Sequence, residues 1–205
     1  MKRSEVELRA GGSGFCARHA GRELDGRTPG LVGLGRIARR AAEIATTLNM
    51  RVAAFDPYLD SADFPVSITR YTSLEDLVGS SDVVSIHSPL TVDNSGLLDA
   101  RSLVAMRPGS ILGNTARGGR ADLPAFADAL DAHRLSLAGL DITAPEPLPA
   151  GTDAVPAPQV AAGTSEAKRR IFKVVLEQVL QVLGGHRPPH PLNLEVSNRL
   201  VPGMR

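Results

Sequence analysis

The sequence predicts an α/β protein built on a parallel sheet with helices on both faces. Three observations predict it. Short apolar runs alternate with longer amphipathic ones from residue 30 to residue 140, the order that builds parallel strands joined by helical crossovers. The run "DVVSI" at 82–86 is continuously β-branched, as a strand covered on both faces requires. And the first apolar run breaks into closely spaced glycines at the point where the first helix begins.

Each element has its own justification. "GLVGL" (30–34) reads as the first strand, and "GRIARRAAEIATTLN" as a helix with Ile37, Ala41, Ile44 and Leu48 on one face. "RVAAF" (51–55) is the second strand, stopped by the turn-forming "DPYLD". "VSIT" (66–69) follows, then a short helix opened by Thr72 with Glu75 three residues later, the spacing of a capping box. After "DVVSI" come a helix across "DARSLVAM", the strand "GSILG", a helix across "DLPAFADALDAHR" and the strand "SLAGL" (136–140). "TAPEPLPAGTDAVPAP" (143–158) is rich in proline and reads as a surface loop. A long helix then runs from about Thr164 to Leu183. Its polar stripe is narrow, and a helix that apolar contacts more than one neighbour.

Composition excludes several classes of function. The 205 residues are 42% hydrophobic and 22% charged, with a net charge of +1, which is ordinary for a globular protein and gives no reason to expect nucleic acid or a membrane surface as a partner. Aromatics make up 3%, without tryptophan, so base-stacking platforms are not expected. No run approaches the roughly 18 apolar residues of a membrane span, and no metal site is expected. The single Cys16 has no internal disulfide partner, which suits a reducing cytoplasm.

The glycines carry the chemistry. Gly33, Gly35 and Ala38 form G-x-G-x-x-A, the turn of a Rossmann-type fold. Gly33 permits the tight turn, Gly35 lets a diphosphate approach the backbone, and Ala38 allows close packing of helix on strand. The amides of Arg36, Ile37 and Ala38 then open a helix whose N-terminus favours an anion. Asp56 stands 21 positions past Gly35, at the end of the second strand, where a carboxylate accepts ribose hydroxyls and repels a 2′-phosphate. This selects NAD as the cofactor. His87, Ser88, Pro89, Asn114, Thr115, Ala116, Arg117 and Asp141 each follow a strand closely, which places them along one crevice. His87 is ambiguous, and a histidine at a strand end is more often a packed or solvated residue than a catalyst.

These landmarks together resemble the D-isomer-specific 2-hydroxyacid dehydrogenases, a family that includes phosphoglycerate dehydrogenases and the related C-terminal-binding corepressors. The segments "GRELDGRTPGLVGLGRIA", "FDPYL", "SDVVSIHSPLT", "MRPGSILGNTARGGRAD", "AGLDITAPEP" and "GGHRPPHPLN" carry the resemblance. It implies a cofactor domain over residues 21–163, with residues 1–20 a remnant of the helix joining it to a flavodoxin-like substrate domain. Residues 164–205 return to that second domain. The cofactor contacts it implies are Gly33, Gly35, Arg36, Ile37, Ala38, Asp56, Ser88, Thr115, Ala116, Arg117 and Asp141. The catalytic positions it implies are Arg117, which binds the carboxylate and carbonyl oxygen of a small 2-hydroxy or 2-oxo acid, and Glu146, which orients a proton-donating histidine. Homodimers are common in the family.

The sequence also departs from that pattern. Gln159, in "PQVAAGT", stands where the family has its histidine, and an amide has no proton to exchange at physiological pH. Thr143 replaces an aromatic residue and Leu123 an acidic one. About a hundred residues of the substrate domain precede the glycine turn in the family, and some thirty do here. The resemblance therefore implies an NAD-dependent oxidoreductase impaired by Gln159 and by truncation. The second reading is an NAD(H)-binding partner or sensor without turnover, as in the corepressors.

Overall fold

The computed structural model describes residues 8–14, 21–89, 96–116, 123–132, 134–141, 155–156 and 163–188. The chain divides into two compact units, Met1–Pro156 and Ala157–Arg205. In the first unit seven strands pair in parallel: β1 (Pro29–Val32), β2 (Ala53–Phe55), β3 (Thr69–Tyr71), β4 (Val83–Ile86), β5 (Ser110–Asn114), β6 (Leu135–Leu140) and β7 (Val155–Pro156). Their spatial order is β3-β2-β1-β4-β5-β6-β7. The chain moves outward from β1 through β2 and β3, then returns to lay β4 on the other side of β1. That reversal opens a crevice at the carboxyl ends of the strands, where α/β sheets bind their ligands.

Among the described residues this unit includes the helices α1 (Arg36–Thr47), α2 (Leu74–Ser80), α3 (Ala100–Ala105) and α4 (Leu123–Asp131). The sheet separates two cores. On one face Leu77 and Val78 of α2, Leu103 of α3 and Phe126 of α4 pack with Val84, Ile86 and Leu112. On the other, Ala38 and Ala42 of α1 join Leu31, Leu34, Val52, Ala54, Phe64 and Ile68. Burying one large apolar side chain contributes about 1.5–3 kcal/mol, so the first face supplies most of the hydrophobic stabilisation.

Several elements differ from the sequence expectation. The face of α1 that meets the sheet is Ala38–Ala42, not the stripe through Ile37, Ala41, Ile44 and Leu48; Ile37 is 74% exposed and Ile44 51%. The alanines, and not the larger residues of this helix, fill the space beside Leu31 and Ala54. The third strand begins at Thr69 rather than Val66, which is fully exposed. The cap of α2 is Ser73 rather than Thr72: Ser73 Oγ accepts the Asp76 N–H at 3.3 Å. Both residues have capping chemistry, and the backbone chose the one directly before Leu74, whose side chain the core takes. Asp99 caps α3 by accepting the Ser102 N–H at 2.8 Å, and that bond holds its carboxyl below the ordinary aspartate range. Finally, β7 lies inside the stretch expected to be loop, pairing its two residues with Gly139 and Leu140.

In the second unit, α5 spans Ser165–Leu183, and Thr164 Oγ1 caps it by accepting the Ala167 N–H at 3.1 Å. Gly185, at φ 77°, ends it in the left-handed conformation that glycine adopts at no steric cost. No residue of α5 is buried; Ile171, Phe172, Leu176, Leu180 and Leu183 are all exposed. Among the described residues no helix is long and apolar enough to cross a membrane.

Candidate cofactor site

Strand register aligns the site. Val32 of β1 lies beside Phe55 of β2 and Ile86 of β4, Ile86 beside Asn114 of β5, and Asn114 beside Leu140 of β6. One residue further along each strand come Gly33, Asp56, His87, Thr115 and Asp141. Five positions read from sequence as strand ends therefore form one row across the carboxyl edge of the sheet.

At the β2–β1–β4 end of that row is a cleft of about 350 Å³, with Gly33, Gly35, Asp56, His87 and Ser88 in its lining. Phe55, Pro57, Tyr58, Pro89 and Leu97 complete its walls. Sequence reasoning placed Pro89 along the crevice and missed Phe55, Pro57, Tyr58 and Leu97, although "DPYLD" carried a signal for Pro57 and Tyr58 because it directly follows β2. Leu97 follows a long connection with no such signal.

The glycine turn needs its glycines. Gly33 has φ 89°, and a Cβ there would meet the Ser88 backbone nitrogen at 3.0 Å. A Cβ on Gly35 would meet nothing within 4 Å and would project into open space. Gly35 is the N-cap of α1 yet provides no side-chain cap, and no acidic residue stands in the first turn. By contrast α2, α3 and α5 each carry a side-chain cap. The first-turn amides of α1, on Arg36, Ile37 and Ala38, are left for an anion, and the helix dipole favours one. Beside the turn, Ser88 Oγ is buried without a hydrogen-bond partner among the described residues. Uncapped amides beside an open glycine are the donors a dinucleotide's diphosphate takes.

Asp56 is held firmly. One carboxylate oxygen accepts the Leu34 N–H at 2.8 Å and the other the Tyr58 N–H at 3.0 Å. The Gly33 N–H donates to Phe55 O at 2.8 Å, so turn and strand end are joined twice. His87 Nε2 lies 3.0 Å from Ser85 Oγ, and burial pushes the imidazole below the ordinary histidine range, toward its neutral form.

Further along the row, Asn114 is buried and its Oδ1 accepts the Ala116 N–H at 3.0 Å, while its carbonyl oxygen accepts the Asp141 N–H at 3.0 Å. This bends the chain immediately after β5 and fixes the start of "TAR". Thr115, Ala116 and Asp141 share the carboxyl edge but are not part of the cleft's lining. The three positions implied as catalytic, Arg117, Glu146 and Gln159, lie outside the described residues, as does His133.

Strand order, glycine turn and acidic strand end together define a Rossmann-type nucleotide-binding domain. Residues 1–163 match the model of the D-isomer specific 2-hydroxyacid dehydrogenase NAD binding domain, and the chain belongs to that family. It is 37% identical over 183 residues to D-3-phosphoglycerate dehydrogenase of Mycobacterium bovis, covering 85% of this chain and 34% of that one. It is 35% identical over 189 residues to glyoxylate reductase of Aeropyrum pernix, covering 89% of this chain and 56% of the relative. Among solved structures, the TT0316 protein from Thermus thermophilus superposes with a TM-score of 0.82 at 37% identity, over 93% of this chain and 62% of that one. The chain thus spans between a third and three fifths of the length of these relatives.

Proposed function

We propose that this chain is the cofactor-binding part of an oxidoreductase acting on a small 2-hydroxy or 2-oxo acid, with turnover held back by Gln159. The observation that supports it most is the row Gly33, Asp56, His87, Thr115 and Asp141 across the strand ends, with the segment leading to Arg117 directly beyond it. In this reading residues 21–163 form the cofactor domain, and residues 1–20 and 164–205 belong with a second domain. The first-turn amides of Arg36, Ile37 and Ala38 hold the diphosphate, Asp56 the adenosine ribose, and Ser88, Thr115, Ala116 and Asp141 the remaining polar groups. NAD(H), when bound, supplies the hydride donor or acceptor.

Arg117 holds the substrate carboxylate in its planar fork and stabilises negative charge at the carbonyl oxygen. A proton must also reach that oxygen. Gln159 donates a hydrogen bond there but releases no proton, and Glu146 then has no imidazole to orient. General acid catalysis, about 10²–10⁴-fold, is withheld. Gln159 also supports the second reading, an NAD(H)-binding partner or sensor without turnover. The exposed apolar residues of α5 support a homodimer, and the lone Cys16 supports a cytoplasmic setting.

The test measures cofactor affinity and turnover on one preparation. NADH is expected to bind more tightly than NADPH by calorimetry, because Asp56 repels the 2′-phosphate. NADH oxidation with glyoxylate, pyruvate or hydroxypyruvate is expected to stay far below about 1 s⁻¹, the low end of ordinary enzymes. Equal affinities for the two cofactors would remove the role of Asp56, and brisk turnover would remove that of Gln159.

A further inference from the structure

We propose that Asp56 is a positioning residue as well as a ribose ligand: its carboxylate braces the glycine turn in the geometry that receives the diphosphate. This rests on the cofactor reading above and adds to it a mechanical link between two subsites. The Leu34 N–H, between the two glycines, donates to Asp56 Oδ2 at 2.8 Å, and the Tyr58 N–H donates to Oδ1 at 3.0 Å. Leu34 is 2% exposed with the carboxylate in place, so removing the carboxylate takes away its amide's acceptor. A buried donor without an acceptor is costly, and the turn is expected to shift until the Leu34 amide finds water. Gly33 cannot absorb that shift in place. Its φ is 89°, and a space too narrow for a Cβ separates it from the Ser88 backbone. The displacement passes instead to Gly35, which has open space around it, and to the first-turn amides of α1.

Lone pairs agree with this division of labour. A carboxylate has about four acceptor sites; two are taken by Leu34 and Tyr58, and two remain, one for each ribose hydroxyl. Asparagine in this place keeps one acceptor oxygen and turns an NH₂ toward the other donor, so it restores only one of the two bonds.

The test separates the two roles with a ligand that lacks the ribose hydroxyls. Full-length wild type, Asp56→Asn and Asp56→Ala are titrated with ADP and with 2′,3′-dideoxyadenosine 5′-diphosphate by calorimetry. Amide hydrogen exchange of Leu34 and Gly35 is followed in the ligand-free proteins. If Asp56 braces the turn, Asp56→Ala binds the dideoxy compound about tenfold more weakly than wild type does, with Asp56→Asn in between. Exchange at Leu34 quickens about tenfold while amides of β4 and β5 stay protected. If both variants lose ADP affinity but bind the dideoxy compound as wild type does, Asp56 is a ribose ligand only and the proposal falls. Loss of fold in Asp56→Ala leaves Asp56→Asn to decide, by the same two readouts. Failure of wild type to bind ADP at all would overturn the cofactor reading, and the exchange rates would then decide the brace alone.

Discussion

Helices α1 and α2 lie against opposite faces of β1 and obey opposite packing rules. α2 is capped by Ser73 and buries Leu74, Leu77 and Val78. The strand yields to it: a Cβ on Gly30 would meet Ser81 Oγ at 2.1 Å and Leu77 Cγ at 3.2 Å. α1 has no side-chain cap and buries only Ala38 and Ala42, while Ile37, Ile44 and Leu48 face outward. The difference shows what a ligand asks of a fold. Around α2 the strand keeps a glycine at position 30, so that Leu77 and the Ser81 side chain press against β1. α1 offers its N-terminal amides to an anion and buries only small side chains against the sheet.

Four substitutions test the contrast. Leu77→Ala strikes the side where packing is the whole purpose. It should cost about 3 kcal/mol, within the range for emptying a full core position, read from the urea midpoint, with cofactor affinity kept in whatever fraction stays folded. Ala38→Leu strikes the side packed by alanines. Overpacking costs about 1–3 kcal/mol, and here it should also lift α1 from β1 and weaken NADH binding at least tenfold (roughly one lost hydrogen bond to a charged group). Retained affinity would mean that the alanine face of α1 serves packing alone.

The cleft beside α1 holds His87, so pH sharpens the comparison. Burial keeps the His87 imidazole below the ordinary histidine value of 6.5. The unfolded chain therefore takes up this proton at a higher pH than the folded chain does. Stability from the neutral ring is present above about pH 6.5 and is lost as the pH falls through the lower folded value. The slope should stay well under the one-proton limit of about 1.4 kcal/mol per pH unit, because the ring keeps contact with water. His87→Asn should flatten it in urea titrations run between pH 5 and pH 8. The smallest effect is expected on the outer face of α1: Ile44→Lys should change stability by no more than about 0.5 kcal/mol, as a surface exchange does. A larger loss would show that Ile44 packs against something in solution.

Much of this was legible in the chain itself. Gly33, Gly35 and Asp56 are local demands: a positive φ, an open backbone and a carboxylate at a strand end require those residue types wherever the fold occurs. That the sheet is parallel followed from the alternation of strand and helix, because parallel neighbours need helical crossovers; the order of its strands did not. What periodicity misjudged was α1, where the larger residues suggested an inward face and the alanines supplied it. Periodicity weighs hydrophobicity, and it cannot weigh which face the tertiary fold turns toward the sheet.

The sequence by itself determined which residues end the strands and which chemistry they carry, since turn conformation and functional groups are properties of single residues and their near neighbours. Only the tertiary structure decided that Gly33, Asp56, His87, Thr115 and Asp141 stand in one row, because inter-strand register is set by hydrogen bonds between segments far apart in the chain. It alone showed Asp56 bonded to Leu34 across 22 residues. A carboxylate's ribose role can be read from its place after a strand. Its grip on the glycine turn depends on a distance that exists only once β1 and β2 lie side by side.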